Sequence, residues 1–416
     1  MEAEVEKLKP VWLYGRFFIV SILVVGLGIP AVIHGGDWPL MLLIIFAVPF
    51  LLGELAGIKD LQDYEYKHPQ VFYGLEYFAE FLAIINISLC AWAAGAYMGN
   101  DFLGIGAWVQ AVFGYDALAV HQSHTLFQLN TIIGVGGIAA ISSTLIVGHE
   151  LTHRVGQPLT YFIGRLGSAF GLFTYFSIRH PYGHHNLVCT PADPATSRRG
   201  ENLYPFIWRS IIGQYKMTWA LEKKRLGVQG KSPWSWENIA LRGWAMEAGV
   251  ILMFIYAGGL LGLFFILVIG LIPHLALEAA NYIEHHGLVR VPTEPMKIYH
   301  AWNDNTMTIY WAIAGINRHS HHHADADVDF WDLKAVPDEA PETFRGYGLS
   351  FLLAAIPPLW HRMMAPRLLE WDEKFASPAE RELAKQQNLE SGIPILMEAG
   401  KNLPSQQTNP AISQTV

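Results

Sequence analysis

Cysteine is scarce, with Cys90 and Cys189 alone among 416 residues. Two thiols cannot hold an iron–sulfur cluster or build a disulfide framework, and Cys90 sits in an apolar run where burial is expected. Charge is scarce too: 15% of positions are charged against 52% hydrophobic, and mean hydropathy is +0.24. That balance excludes a disordered chain and an ordinary soluble one. The formal net charge of −8 gives nucleic acid nothing to bind. A cleavable signal peptide is not expected, because Glu2, Glu4 and Glu6 dilute the positive start. Lys and Arg are missing altogether from 73–150 and from 243–289.

What is present is apolar sequence in long runs. A hydrocarbon core of about 30 Å takes roughly 20 helical residues to cross, and six runs fit: 12–33, 38–57, 73–98, 128–150, 243–261 and 262–284. Lys7, Lys9 and Arg16 precede or open the first run, and Lys59 and Lys67 separate the second from the third. Basic residues stay preferentially in the cytoplasm, which predicts both termini inside and three outer loops without Lys or Arg. The stretch 158–178 carries Arg165 and is expected to be re-entrant or interfacial, since a charge at mid-bilayer is costly.

The expected fold is therefore an all-α integral membrane protein, six transmembrane helices with a cytoplasmic histidine-rich metal-binding cap. Its segments are 1–157 (four helices and a first histidine box), 158–242 (the interfacial helix, a second box and a cytoplasmic stretch), 243–284 (two helices), 285–376 (the cap with a third box) and 377–416 (a polar C-terminal tail, frayed from Ser405 to Val416).

Eighteen histidines are present, and nine fall into four clusters. His149 and His153 occur in HELTHR, His180, His184 and His185 in RHPYGHH, His285 in NYIEHHGL, and His319, His322 and His323 in NRHSHHH. Under this topology all four emerge on one membrane face. Residues four apart on a helix share a face, so His149 and His153 can address one metal, as can His180 and His184 if that segment is helical. The vicinal pairs His184/His185 and His322/His323 diverge and can each serve two neighbouring metals. Nine imidazoles exceed what one tetrahedral ion uses and suit a dinuclear site. His286, His300 and His321 adjoin the clusters and are alternatives to these ligands. His34, His68, His121, His124, His274 and His361 stand alone and are expected to be interfacial or core residues.

A ligating imidazole usually gives its outer N–H to an acid or carbonyl. Glu150, Asp193, Glu278, Glu284 and Asp325 are the candidates, with Asp327 beside the last. Taken alone, HELTH also fits a membrane zinc metalloprotease, with Glu150 as general base, but that leaves the other clusters idle. A metal transporter would need acidic or histidine residues at mid-span, where the apolar runs have almost none.

Together these motifs resemble the integral-membrane, non-haem di-iron hydroxylases, which include bacterial alkane and xylene monooxygenases and share their histidine boxes with fatty-acid desaturases. HELTHR resembles the first box and HPYGHH the second, with Arg179 where a Glu is common. TPADPATSRRGE at 190–201 is similar to the stretch after it, with Ala192 replacing a Glu. NYIEHHGLVR at 281–290 and RHSHHH at 318–323 complete the set, His321 standing for an Asp. HAWN at 300–303, KSPW at 231–234 and WDEKFASPAEREL at 371–383 look at least as similar to the xylene branch.

The resemblance implies that His149, His153, His180, His184, His185, His285, His319, His322 and His323 hold two irons, with no haem, flavin or internal iron–sulfur cluster. It implies O2-dependent hydroxylation of a membrane-partitioned hydrocarbon in the bacterial inner membrane, an n-alkane to a 1-alkanol or else a benzylic methyl. Electrons would come from rubredoxin or a ferredoxin-type carrier with an NAD(P)H-dependent reductase. Arg198, Arg199, Lys223, Lys224 and Arg225 are candidates to dock it, or else simply to face lipid headgroups. Gly134, Gly136, Gly137, Ala139 and Ala140 open space for either close helix packing or a substrate path, the first being the more ordinary use.

Overall fold

A computed structural model describes residues 10–402, so the expectations for Lys7, Lys9 and Ser405–Val416 lie outside the described residues. The described residues form helices joined by turns, with two isolated bridges, Lys59 to Thr306 and Asn303 to Glu342, in place of any sheet. Five helices are long and apolar enough to cross a membrane: Val11–His34, Trp38–Ala56, Gln70–Tyr97, Leu126–His153 and Ile239–Glu284. Local chemistry marks their ends. Thr125 and Gln128 form a reciprocal cap at the start of the fourth, and Asn238 accepts from the first free N–H groups of the fifth.

Five helices stand where six apolar runs were expected because the last two, 243–261 and 262–284, are joined in one helical run of 46 residues, Ile239–Glu284, broken at Gly259. At about 1.5 Å per residue, a straight helix of that length would be about twice the hydrocarbon thickness. Gly259 adopts φ 57° and ψ −136°, a conformation that a Cβ disfavours strongly. The chain doubles back there: a side chain at Gly262 would strike the Phe254 carbonyl. The bend meets the end of the third helix, where Asn100 Nδ2 donates to the Ala257 carbonyl at 2.8 Å. Both ends lie at the other pole, Ile239 accepting from Arg165 at 2.8 Å and Glu284 sitting 3.2 Å from His319. Hydropathy alone cannot tell this glycine bend from a loop between two helices.

The 158–178 stretch contains a helix of 13 residues, Pro158–Phe170, then a turn and a second short helix. Thirteen residues reach only about 20 Å, short of the hydrocarbon thickness. Arg165 is buried and satisfied, donating to Ser177 Oγ at 3.2 Å as well as to Ile239. Small residues bring the apolar helices close: Cβ atoms at Gly136 and Gly137 would press on Ile269 and Ile272 of the fifth helix. These glycines therefore serve packing.

A separate core forms around Val188, Phe206, Tyr282, Trp360, Leu368 and Trp371. Ala384 and Leu396 join it from the helices Pro378–Glu390 and Pro394–Asn402. The described part of the expected polar tail is thus docked, its charged residues covering an apolar seam.

Gly259→Ala is expected to cost about 1–3 kcal/mol of stability, the usual penalty for a side chain forced into a glycine conformation. The thermal midpoint of the detergent-solubilised protein measures this, and an unchanged midpoint would show that the bend does not need glycine.

Candidate metal centre

His149 and His153 stand one helical turn apart at the end of the Leu126–His153 helix. The turns just before them, Ala140–Val147, are wound as a π-helix, a widened form that concentrates at functional sites. A second π turn, His180–His184, carries the next cluster, and the His185 amide closes it by donating to the His180 carbonyl. This widening decides which rings meet. In an α-helix, residues five apart point well away from one another, but in the wider turn His185 comes back beside His180, their Nε2 atoms 3.0 Å apart. His184 is turned to the other flank. The expected partnership of His180 with His184 is thus replaced by His180 with His185.

All nine clustered histidines converge, in two groups: His149, His153, His180, His185 and His322, and His184, His285, His319 and His323. Within each group the ligand atoms lie within 4.8 Å of one another. Each vicinal pair divides between the groups. His149 Nε2 is 2.7 Å from His180 Nε2 and 3.0 Å from His153 Nε2, and His319 Nε2 is 3.2 Å from His285 Nε2. His286, His300 and His321 enter neither group. His286 packs against Trp360 and His361, and His300 pairs with Glu380. His121 and His124 sit far along the chain from the clusters, His121 Nε2 donating to the Val32 carbonyl at 3.0 Å and His124 Nε2 accepting the Gly36 N–H at 2.7 Å.

Burial keeps these rings neutral. It pushes His322 down to about 3, helped by His184 and Arg154, and pushes His180, His185, His285, His319 and His323 well below the ordinary histidine range. Neutral rings that face one another this closely need a proton or a cation between their lone pairs. Both nitrogens of His322 and of His323, and Nε2 of His184, are buried without a hydrogen-bond partner. Unpartnered buried polar atoms are costly, and a metal ion bound to imidazole nitrogen removes that cost. The donor set fits a pair of transition metals.

The fatty acid desaturase family profile matches residues 123–354, which contain every clustered histidine. The chain belongs to the fatty acid desaturase family. Within it, the chain is 34% identical over 270 residues to an alkane 1-monooxygenase of Acinetobacter baylyi, covering 62% of this chain and 64% of that one. It is 31% identical over 306 residues to the xylene/toluene monooxygenase hydroxylase component XylM of Pseudomonas putida, covering 71% and 80%. An alkane 1-monooxygenase of Pseudomonas aeruginosa is 28% identical over 362 residues, covering 84% of this chain and 88% of its own. The aligned stretch is thus just under two thirds of the Acinetobacter protein's length.

A cavity of about 360 Å³ opens onto the family's histidines. His149, His180, His319 and Glu284 line it together with Ser142, Asn281 and Tyr347, and Ile138, Ile141, Leu145, Phe46, Phe50 and Ile313 are among its apolar walls. Ile138, Ile141, Leu145 and His149 form a stripe down one face of the fourth helix, as spacings of three and four require.

The carboxylates separate by what they touch. Asp193 takes the His184 Nδ1–H at 2.9 Å, leaving Nε2 to face the second group. Burial alone would raise Asp193, but His184, Arg179 and the Thr196 hydroxyl hold it well below the usual range. Glu284 lies 3.2 Å from His319 Nε2. Glu150 turns instead to Arg154, which also binds Asp329 at 2.5 Å, and so is not placed as the base a zinc protease would need. Glu278 is held by Gln214 and Asn281, and Asp325 and Asp327 are exposed. The spacing of four between Glu150 and Arg154 could have revealed that pair. No local pattern announces two supports that sequence reasoning missed: the His300 carbonyl, which accepts the His285 Nδ1–H at 3.3 Å, and the pairing of His300 with Glu380. Among the candidate docking cations, Arg199 is buried against Asp372 and is removed from that role, while Arg198, Lys223 and Lys224 are exposed.

His323→Ala takes the second group from four imidazoles to three, whereas His153→Ala leaves the first with four. Since stable nitrogen-ligated sites use about four ligands, His323→Ala is expected to lose more metal than His153→Ala. His34→Ala, whose ring stacks on Tyr115 with centroids 4.3 Å apart, should lose none. Plasma emission analysis of the purified variants measures this. Metal loss in His34→Ala, or equal full occupancy in all three, would overturn the assignment.

Proposed function

We propose that this chain is an O2-dependent membrane monooxygenase that hydroxylates the terminal methyl of a hydrocarbon, an n-alkane giving a 1-alkanol. The nine imidazoles hold two irons, five ligands to one and four to the other. The observation that carries this reading is the cavity: its walls are apolar almost throughout, with Ser142, Asn281 and Tyr347 the polar lining residues besides His149, His180, His319 and Glu284. A substrate without polar groups is what such a space accepts. The relatives named alkane 1-monooxygenase support the same substrate class.

The balance is RH + O2 + 2e⁻ + 2H⁺ giving ROH + H2O. Bound by the imidazoles, a pair of irons supplies the oxidising power for splitting O2 and oxygenating an unactivated C–H bond. The chain does the rest. Asp193 holds the proton on His184 Nδ1 and the His300 carbonyl holds that on His285 Nδ1, so each ring presents Nε2. Phe176 stacks on His180 with centroids 4.4 Å apart and fixes that ring against the cavity. Ile138, Ile141, Leu145 and Ile313 exclude water and align a hydrocarbon lengthwise, one end at the histidines. Six crossings, with the bend at Gly259 outside and both termini cytoplasmic, put the histidines at the inner face of a bacterial inner membrane. There a rubredoxin or ferredoxin-type carrier, fed by an NAD(P)H-dependent reductase, can reach them. Arg198, Lys223 and Lys224 are the exposed cations able to meet an acidic carrier.

Benzylic hydroxylation of an alkylarene is the second reading. It is favoured by HAWN at 300–303, KSPW at 231–234 and WDEKFASPAEREL at 371–383, which look at least as similar to the xylene branch, and XylM aligns with this chain over 80% of its length.

The reading is tested by supplying n-alkanes of graded length, and separately p-xylene, to purified protein with a competent electron-transfer system. Two irons per chain and 1-alkanol are expected, and benzylic alcohol alone would select the second reading. Ile138 lies eleven residues before His149, about 16 Å along the helix, so Ile138→Phe should shorten the usable cavity. Turnover of the longest substrates should fall on the order of tenfold, as in tight apolar pockets, with the shortest unaffected. A chain-length profile identical to that of the unaltered protein would detach the cavity from the substrate.

A further inference from the structure

We propose that the C-terminal segment 371–390 is a positioning element for the second histidine group alone, reaching His285 through His300 and His184 through the 190–201 loop. The proposal rests on the reading of that group as an iron site.

The first link is a relay of hydrogen bonds. His300 Nδ1 accepts the Lys297 backbone N–H at 3.0 Å, so the ring's proton is on Nε2, which donates to Glu380 Oε1 at 2.6 Å. Both residues are buried. The other carboxylate oxygen of Glu380 accepts the Ser377 N–H at 2.8 Å, and the Ser377 hydroxyl accepts the Glu380 N–H at 3.3 Å. That reciprocal cap fixes the carboxylate before it meets the histidine. With its ring held at both nitrogens, His300 keeps its carbonyl in place, and that oxygen accepts from His285 Nδ1 and from the Cys189 thiol at 2.9 Å. Rotation of His285 is thereby tied to a helix almost a hundred residues away.

The second link is an ion pair. Asp372 binds Arg199 in two-pronged fashion at 2.6 and 2.7 Å, and Asn388 Oδ1 accepts from the same guanidinium at 2.8 Å. Arg199 also donates to the Gly287 carbonyl at 2.8 Å, two residues beyond His285. Its loop carries Asp193, which Thr196 and the Ala195 N–H orient toward His184. Planar two-pronged pairing fixes direction as well as distance. Thus the segment singled out by WDEKFASPAEREL meets HAWN and TPADPATSRRGE in space, and every meeting leads to the second group. The first group is flanked instead by Phe176 and by the Arg154, Glu150 and Asp329 network.

Glu380→Gln keeps the shape of the side chain and weakens its bond to His300. Asp372→Asn does the same for Arg199, and keeps the test decisive if the first variant does not fold. Glu382→Gln, exposed on the same helix, is the control. The measurement is the rate at which purified, iron-loaded protein gives up iron to a ferrous chelator, with total iron counted beforehand. Loss of an outer partner typically weakens metal binding about 10–100-fold. Half of the iron in Glu380→Gln and Asp372→Asn should therefore leave about 10–100-fold faster, the other half at the unaltered rate, with Glu382→Gln unchanged. Two irons per chain released at unaltered rates in both variants would overturn this inference and leave the functional reading standing. Both halves leaving faster together would mean general loosening and overturn it equally. An unaltered protein that takes up no iron would instead sink the functional reading, and this inference with it.

Discussion

Nine imidazoles face one another inside an apolar protein, and the rest of the molecule depends on that arrangement. Nε2 atoms approach to 2.7–3.2 Å with lone pairs on both sides. Such contacts need a proton or a cation between the two nitrogens, and further protonation of His180 and His319 is opposed by burial and by the neighbouring rings. The fold must therefore deliver rings from four separate segments to within bonding reach of shared centres. It must also keep the outer nitrogens paired and water away. Three structural irregularities serve that delivery. The π turns re-aim His149, His180 and His185, and the bend at Gly259 brings the end of the fifth helix, with Glu284 and His285, back to the histidine pole.

Much of this was legible in residue type and spacing. The four histidine clusters, the division of the vicinal pairs and the apolar helices are legible in composition and spacing, whereas His286, His300 and His321 stay open as alternatives until the resemblance singles out nine. What escaped depends on backbone winding or on contacts between distant segments. Which ring joins His180 depends on a widened turn whose sequence, HPYGHH, does not announce it. Glu150 sits beside a ligand in sequence, yet a helix sends neighbours to different faces, and Arg154 takes it. Asp193, nine residues after His184, reaches that ring because the 190–201 loop folds back. Arg199 reads as a surface cation until Asp372 arrives from the far end of the chain.

The cavity shows the same distinction. Five small residues on the fourth helix invite a channel, but space beside a glycine is filled when a neighbour carries an isoleucine, as Ile269 and Ile272 do. The open space lies next to Ile138, Ile141 and Leu145, where the neighbouring helices do not close the gap. For a hydrocarbon already dissolved in lipid, moving from bilayer to cavity gains little hydrophobic free energy, since both are apolar. Selection must then come from shape, through contacts that are individually weak and collectively large. Such a site discriminates by length and width, which explains how one architecture can serve both a linear and an aromatic hydrocarbon by altering a few wall residues.

The two histidine groups are supported from opposite directions. The first is anchored to the apolar helices: His149 and His153 end the fourth, and Phe176 and Arg154 stiffen their surroundings. The second has His285 at the end of the fifth helix, His184 on the π turn and His319 and His323 on the short helix His319–Ala324, and the C-terminal helices reach His184 and His285 through Arg199 and His300. A membrane helix resists displacement because its backbone groups have no other partners in lipid, whereas a loop held by a few hydrogen bonds opens locally at lower cost. The rigid group borders the cavity through His149 and His180, the loop-supported group through His319. Supporting part of the second group through polar segments keeps those supports apart from the wall that would align a hydrocarbon. That division is available only to a protein whose ligands come from both membrane helices and the segments between them.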